Sequence, residues 1–458
     1  MREMLSKSSK TNQQNLFYSP LSDMLDMNDS LIALSNAIDW KIFENEFSQF
    51  YSKDGSPAKP IRLMVGLLIL KQLENLSDES IVIQWKRNPY YQYFCGYNEM
   101  QVCEPCHSTQ LVKFRQRIGK EGMELIFKVS VQLHENKAEE KQVLIDTTVQ
   151  EKNITYPTDG KLAIKMIHHL HKIVKKEQLN LRRTFVKEIK EHRINLRFFK
   201  HPKKIKKAKS SIKRLRTIVG MLIRDISRNL TQDKLSNYTN TFELFDKVRN
   251  QQIKDSNKVL SLHESHVYAI TKGKDHKKYE YGTKASIVAT KDSGVIVGVV
   301  SHNKNEHDSK TLEAALISAN KTRTTPIKEA ICDRGYRGIK EVLGTIISIP
   351  GTPLKKDIEY QKQSKREKFK RRAAIEPIIG HLKSDFRLAR NYLKGFIGDQ
   401  INLLLAATAW NLKKWMNIYF FAIISGEMKL LLESINQIKL YYQIFLQLIV
   451  IKLIFIHP

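Results

Sequence analysis

Cysteine is scarce in this chain, with four in 458 residues. Scattered through so long a sequence, they exclude a disulfide framework. Cys103-Glu-Pro-Cys106-His107 has the outline of half a zinc knuckle. Cys95 and Cys332 stand alone, however, and no spaced histidine pair lies nearby, so a metal-free structural loop is the expectation. Glycine-rich phosphate loops of either nucleotide type are missing, as is any internal repeat, which argues against ATP-driven action and against a solenoid. A charge-free apolar run of the ~18 residues that a spanning helix needs is lacking too. Residues 416–456 are rich in Ile, Leu, Phe and Tyr, but Glu427, Lys429, Glu433, Lys439 and Lys452 interrupt them. That tail reads as helix packed on the domain or on a partner, not as a membrane anchor. Residues 1–14 are polar and lack the apolar core of a secretory signal, so the expected location is cytoplasmic.

Acidic residues are the other shortage. Asp plus Glu number 47 against 77 Lys plus Arg, a net charge of +30 and a pI near 9.7. With an ordinary hydrophobic content of 41%, this points to a folded protein with a polyanionic partner rather than to a merely soluble basic enzyme.

The chain opens with a polar lead-in carrying one amphipathic patch, Leu31 to Phe47. From Pro60 the pattern is helical: an apolar helix from Ile61, a second capped by Ser77-Asp-Glu-Ser80, and a third near Ser108–Ile118 carrying Lys113, Arg115 and Arg117. Short helices ending in a basic one fit a helix-turn-helix-like DNA reader, and fit a plain bundle nearly as well. Strand character begins at Lys141, with a compact run from Val143 that ends around Asp146. A basic helical segment follows, in which Lys200 to Arg216 holds nine Lys or Arg and no acid. Such a run is a solvated surface or a phosphate contact. A hairpin is expected from Tyr279–Thr290 and Val295–Ser301 around the turn Asp292-Ser-Gly294. His307-Asp308 precedes a helix that it caps, or else supports a metal site; a short strand then ends at Asp333.

The densest signal is Phe369-Lys-Arg-Arg372-Ala-Ala-Ile-Glu376 with Lys383 beyond it. Read as one helix, Arg372, Glu376 and Lys383 lie within roughly 40° of one another, one carboxylate between two cations. Asp146 and Asp333 end strands and Glu376 sits on a helix, the placement from which three acids can converge on two Mg²⁺ ions about 3.5–4 Å apart. Asp159 and Glu151 are nearby acids that end no strand.

These residues resemble the DDE-class bacterial insertion-sequence transposases, and within the insertion-sequence-four superfamily the insertion-sequence-five group. Asp333-Arg-Gly335-Tyr336 is similar to that group's Asp-x-Gly-Tyr. Phe369-x(2)-Arg372-x(3)-Glu376-x(6)-Lys383 matches its third-acid signature at every spacing, with Phe in place of the usual Tyr. The likeness extends over Asp146–Asp159 and the segment ending Phe114-Arg-Gln-Arg-Ile-Gly119, so it covers roughly residues 15–418.

The resemblance implies an α/β protein with a ribonuclease-H-like catalytic core, a mixed sheet with flanking helices. On that reading the organisation is a lead-in at 1–59, a helical DNA-binding region at 60–135, a catalytic domain at 140–160 and 261–415, a basic helical insertion at 161–260, and an apolar tail at 416–458. Asp146, Asp333 and Glu376 would be the catalytic metal ligands, for Mg²⁺ with Mn²⁺ as a substitute, two ions in all. Arg372, Lys383, Arg371 and Tyr336 would touch DNA near the scissile phosphate. The implied partners are double-stranded DNA, as terminal inverted repeats and as target, and a second copy of the chain, all at the bacterial nucleoid. The insertion lies between the first two acids, before the third, and has no tryptophan (all four are at 40, 85, 410 and 415), so its function does not carry over. A catalytically silent DNA-binding derivative and a host nuclease of the same fold are the competing readings.

Overall fold

The computed structural model describes residues 19–52, 57–252, 254–255, 257–274, 277–349, 351 and 357–454, with side chains as far as 426 except at 272–274 and 277. Seven helices come first: α1 (Leu21–Met24), α2 (Ser30–Ala37), α3 (Trp40–Ser48), α4 (Ile61–Leu73), α5 (Asp78–Arg87), α6 (Pro89–Phe94) and α7 (Ser108–Gln132). Local chemistry sets their starts. Asp29 and Asp39 cap α2 and α3, Ser77 accepts from the Ser80 N–H at 3.0 Å, and Asn88 caps α6 with Pro89 at its first position. Gly119 breaks α7 with φ of 60° and ψ of −155°, a conformation few other residues hold cheaply.

The sheet has seven strands, β1 (Gln142–Glu151), β2 (Tyr268–Lys274), β3 (Lys277–Thr290), β4 (Ile296–His302), β5 (Glu329–Ile331), β6 (Glu341–Val342) and β7 (Thr345–Ser348). Their order is β2-β3-β1-β5-β7-β6, with β4 also on β3. The β1–β3, β3–β4 and β6–β7 pairs are antiparallel, and β1–β5 and β5–β7 are parallel. The expected hairpin is therefore β3–β4, turning through Gly294 at φ 65°. The sheet is mixed, as anticipated.

Between β1 and β2 lie α8 (Asp159–Lys176), α9 (Val186–Asn195), α10 (Ile205–Asn229), α11 (Gln232–Ser236) and α12 (Thr239–Asn250). They bury a core of their own, built on Leu162, Ile167, Leu215, Leu222 and Phe245. The remaining helices are α13 (Leu312–Asn320), α14 (Glu359–Arg372), α15 (Ile375–Ser384) and α16 (Gly395–Ile454). The N-terminal helices are not separately cored. Leu34, Phe47, Leu67 and Phe114 belong to one continuous apolar cluster with Val143, Ile287, Leu316 and Leu405. Asn411 of α16, fully buried, stitches that cluster: it bonds both the N–H and the C=O of Ile296 at 2.9 and 2.8 Å, and its own carbonyl lies 2.9 Å from His134 Nε2.

Both ends of the insertion meet at one buried ion cluster. Lys152 Nζ, on a side chain 2% exposed, lies 2.5 Å from Asp399 and 3.4 Å from Glu264, and His266 Nε2 lies 3.0 Å from Asp399. Asn391 donates to Asp399 at 2.5 Å, and Gly395 N–H donates to Glu264 at 3.1 Å. Replacing Lys152 with Met would strand two buried carboxylates with His266 alone. Loss of about 3–5 kcal/mol is expected, read as a lower urea midpoint; an unchanged midpoint would show that the cluster does not hold the fold.

Candidate active site

β1 carries the site because it is paired differently on its two edges. Against β3 it is paired along its whole length, Val143 with Thr290 through Glu151 with Gly282. Against β5 it is paired only over Gln142–Leu144 with Glu329–Ile331. Asp146 is thus mid-strand, not at a strand end as expected, but it lies just past the parallel pairing. Continuing that register by two residues sets Asp146 beside Asp333, on strands ~4.8 Å apart. Side chains alternate along a strand, so Asp146 shares the face of Leu144 and Asp333 that of Ile331. On that face Leu144, Ile331 and Ile375 are buried against one another. The next residue after Ile375 is Glu376. One small apolar contact therefore brings the three acid-bearing segments together.

Short bonds orient the two aspartates. Asp146 Oδ1 accepts from the Thr147 N–H at 2.7 Å, and Asp333 Oδ1 from the Gly335 N–H at 2.8 Å. Both are half-buried and open to solvent. Cys332, next to Asp333 in the chain, is buried in the main core; burial, and then the Asp333 and Asp146 charges, push its thiol far up.

A fourth acid sits close by. Asp308 Oδ1 accepts from Thr147 Oγ1 and from Lys284 Nζ, both at 2.9 Å. A Cβ placed on Gly335 would lie 3.0 Å from Asp308 Oδ2 and 3.0 Å from Asp333 Oδ1, so the glycine leaves room for two carboxylates to approach. Burial works to raise the Asp308 carboxyl, but the Lys284 and Thr147 hydrogen bonds and the Lys284 charge outweigh it and hold it below the usual range. The capping role belongs to its neighbour: His307 accepts from the Ser309 N–H.

Several expected contacts are placed otherwise. The single helix through Arg372, Glu376 and Lys383 is two, broken at Ala373–Ala374, so only Glu376 and Lys383 share α15. Glu376 still meets Arg372 at 3.4 Å, on a carboxylate side chain 62% exposed and turned to that cation. Among the described residues no three Asp, Glu, His or Cys side chains stand close enough to hold a metal as they are. Tyr336 is fully buried beneath the site, its ring packed in the main core, and is not available to touch DNA. Arg115 is 4% exposed and grips Asp78 through two bonds, so it is a core ion pair shared with Lys71. Arg117 lies over the Tyr51 ring at 4.5 Å, Lys113 is exposed, and Arg371 bonds Asp292 at the β3–β4 turn at 3.0 Å. Asp159 pairs with Arg216 within the insertion.

The sheet thus carries Asp146 on β1, with Asp333 two residues past the end of β5 and Glu376 on α15 at its rim. Residues 255–412 match the family described as transposase DDE domain, and residues 19–117 match a family described as transposase domain (DUF772). A Rhizobium meliloti protein described as uncharacterised, ORF8 of the nfe locus, is 36% identical over 194 residues, 41% of this chain and 94% of that protein. No solved structure matches the chain. This chain belongs to the DDE transposases, whose core is ribonuclease-H-like. Asp146 falls outside both matched segments, because the insertion parts β1 from the rest; the sheet restores it to their centre.

Gly335→Ala tests the carboxylate approach directly. The added methyl should displace Asp333 or Asp308, lowering strand cleavage by about a hundredfold, as misplacement near 1 Å does, with little change in melting temperature. Wild-type cleavage would remove the Asp308–Asp333 approach from the mechanism.

Proposed function

We propose that this transposase cuts the phosphodiester backbone at the terminal inverted repeats of its element and joins the freed ends to target DNA, with Asp146, Asp333 and Glu376 as the acids that hold two Mg²⁺ ions. The observation that supports the reading is the Leu144–Ile331–Ile375 contact, which brings together the three chain segments that bear these acids. The donor set fits the ion: hard carboxylate oxygens, half open to water, with two like charges on neighbouring strands that a cation would relieve. When bound, such ions activate the attacking oxygen and stabilise the leaving one, and Mn²⁺ serves in the same place.

The protein's own part is positioning. Asp146 and Asp333 are held in place by the Thr147 and Gly335 N–H groups. Glu376 waits on Arg372 and must turn through its side-chain torsions to join them, which ties completion of the site to arrival of DNA. Arg372, once released, is free for a phosphate, and Lys383, seven residues or about two turns beyond Glu376 at α15's basic end, extends the same rim. Arg371 holds α14 to the β3–β4 turn and keeps that rim in place. Lys113 is the exposed cation of the N-terminal region offered to the inverted repeat. Two copies of the chain, one per end, hold the ends together at the nucleoid.

Asp146→Asn, Asp333→Asn and Glu376→Gln should each abolish Mg²⁺-dependent nicking of duplexes carrying the DNA that flanks the gene, while duplex binding stays within a fewfold of wild type. Retained nicking in one variant removes that acid from the set. A wild-type protein that binds the repeats and never cuts them would replace this reading with the catalytically silent one.

A further inference from the structure

α10 is built at a cost that its own fold does not recover. One face is apolar, with Leu215, Ile218, Leu222 and Ile226 in the insertion core. Along another, Lys209, Lys213, Arg216 and Arg224 recur at spacings of four, three and eight, with Gly220 between the last two. Like charges three and four apart on a helix repel and destabilise it. Lys209, Lys213 and Arg224 are exposed, and their side chains pair with no carboxylate among the described residues.

Arg249 of α12 joins them from the side. Its guanidinium lies over Gly220, where an added side chain would have to push that flexible end aside, and Arg224 Nη1 is 3.4 Å from the same point. Arg249 Nε is buried with no hydrogen-bond partner, although the far end of the group reaches Asp246 at 3.0 Å. A glycine inside a helix is less stable than alanine, and here it leaves space that one more cation occupies in a row of cations. The five side chains line a groove of about 360 Å³ that contains no acid.

We infer that this groove seats the phosphate backbone of duplex DNA, at a second site on the insertion distinct from the acid cluster. The stripe from Lys209 to Arg224 is ~22 Å long, over which a duplex presents about 13 phosphate charges. A linear, solvent-open row matches such a rod; a small anion would need only its centre. The inference rests on the transposase reading, in which DNA is the partner.

The test uses the full chain and a fluorescent DNA duplex of arbitrary sequence, with binding followed against salt. Lys209→Ala, Lys213→Ala and Arg224→Ala combined should make the salt slope shallower by roughly 2–3 units. The control combines Lys187→Ala, Lys190→Ala and Arg193→Ala on the exposed side of α9, with the melting temperatures of both variants compared. Its slope should stay near wild type. Equal slopes for the stripe variant and wild type, or equal losses in stripe and control variants, would overturn the inference and leave the catalytic reading standing. A wild-type chain that binds no duplex would overturn both.

Discussion

Three residue pairs of parallel sheet, Gln142–Leu144 against Glu329–Ile331, determine whether this molecule has an active site. Strand side chains alternate, so a slip of one residue would turn Asp146 or Asp333 to the opposite face. The register is pinned from both sides. Leu144 and Ile331 bury together under α15, while Val143 and Ala330 face the main core. At the edge of the pairing Gln142 donates to Glu329 at 2.5 Å, and Glu329 also receives Lys368 of α14 at 2.6 Å. The helix that carries the cations of the third-acid motif is thereby anchored to the strand pair that carries the other two acids. Burial raises Glu329's carboxyl, but Lys368 and its hydrogen bonds prevail and keep it below the usual range, so this anchor persists as long as Glu329 stays ionised.

The basic excess is divided between two uses. Some cations are consumed by the fold: Lys71 and Arg115 both serve Asp78, whose carboxyl burial would raise but whose two partners pull down to about 2. Lys152 is consumed in the same way at the neck of the insertion. Others stay in water, as Lys209, Lys213 and Arg224 do on the α10 stripe, where they add little to stability and repel one another. Buried pairs contribute through satisfied geometry, whereas exposed like charges contribute only when a polyanion arrives. Counting Lys and Arg along the chain could not separate the two populations.

That limit explains which parts were legible in advance. The β3–β4 hairpin, the Ser77 cap, the strand through Asp146 and the short strand that ends two residues before Asp333 all follow from local periodicity and turn chemistry, and all are present. Arg115 was read as a DNA contact from its spacing beside Lys113 and Arg117, because its partner Asp78 lies 37 residues away. Asp308 was left between two roles because Thr147, its partner, is 161 residues away. Tyr336 follows the Asp-x-Gly motif, and only the packing of the Asp333–Tyr336 turn sends its ring inward. The break at Ala373–Ala374 is announced by Pro377, which has no N–H for the Ala373 carbonyl and crowds it, and it occurs where Ile375 turns in to meet Leu144 and Ile331.

The same reasoning gives the insertion its place in the molecule. Lys152 leaves β1 and Glu264 and His266 re-enter toward β2 at a single point, where Asp399 of α16 holds Lys152 and His266, and Lys152 in turn holds Glu264. Asn391 adds backbone bonds on either side, its N–H to Glu151 and its C=O from the Asn153 N–H, at 2.7 and 2.9 Å. A unit with its own core, tied at both ends to one buried cluster, can be large without loosening the sheet, since long excursions are entropically cheap once their ends are fixed. Asp146 lies six residues before that neck on the same strand. DNA held on the α10 stripe would pull on a segment joined through β1 to Asp146, the first of the three acids proposed to hold metal. The rigidity of the Lys152–Asp399 neck, more than the length of the insertion, thus governs how closely a phosphate bound outside is referenced to the acids within.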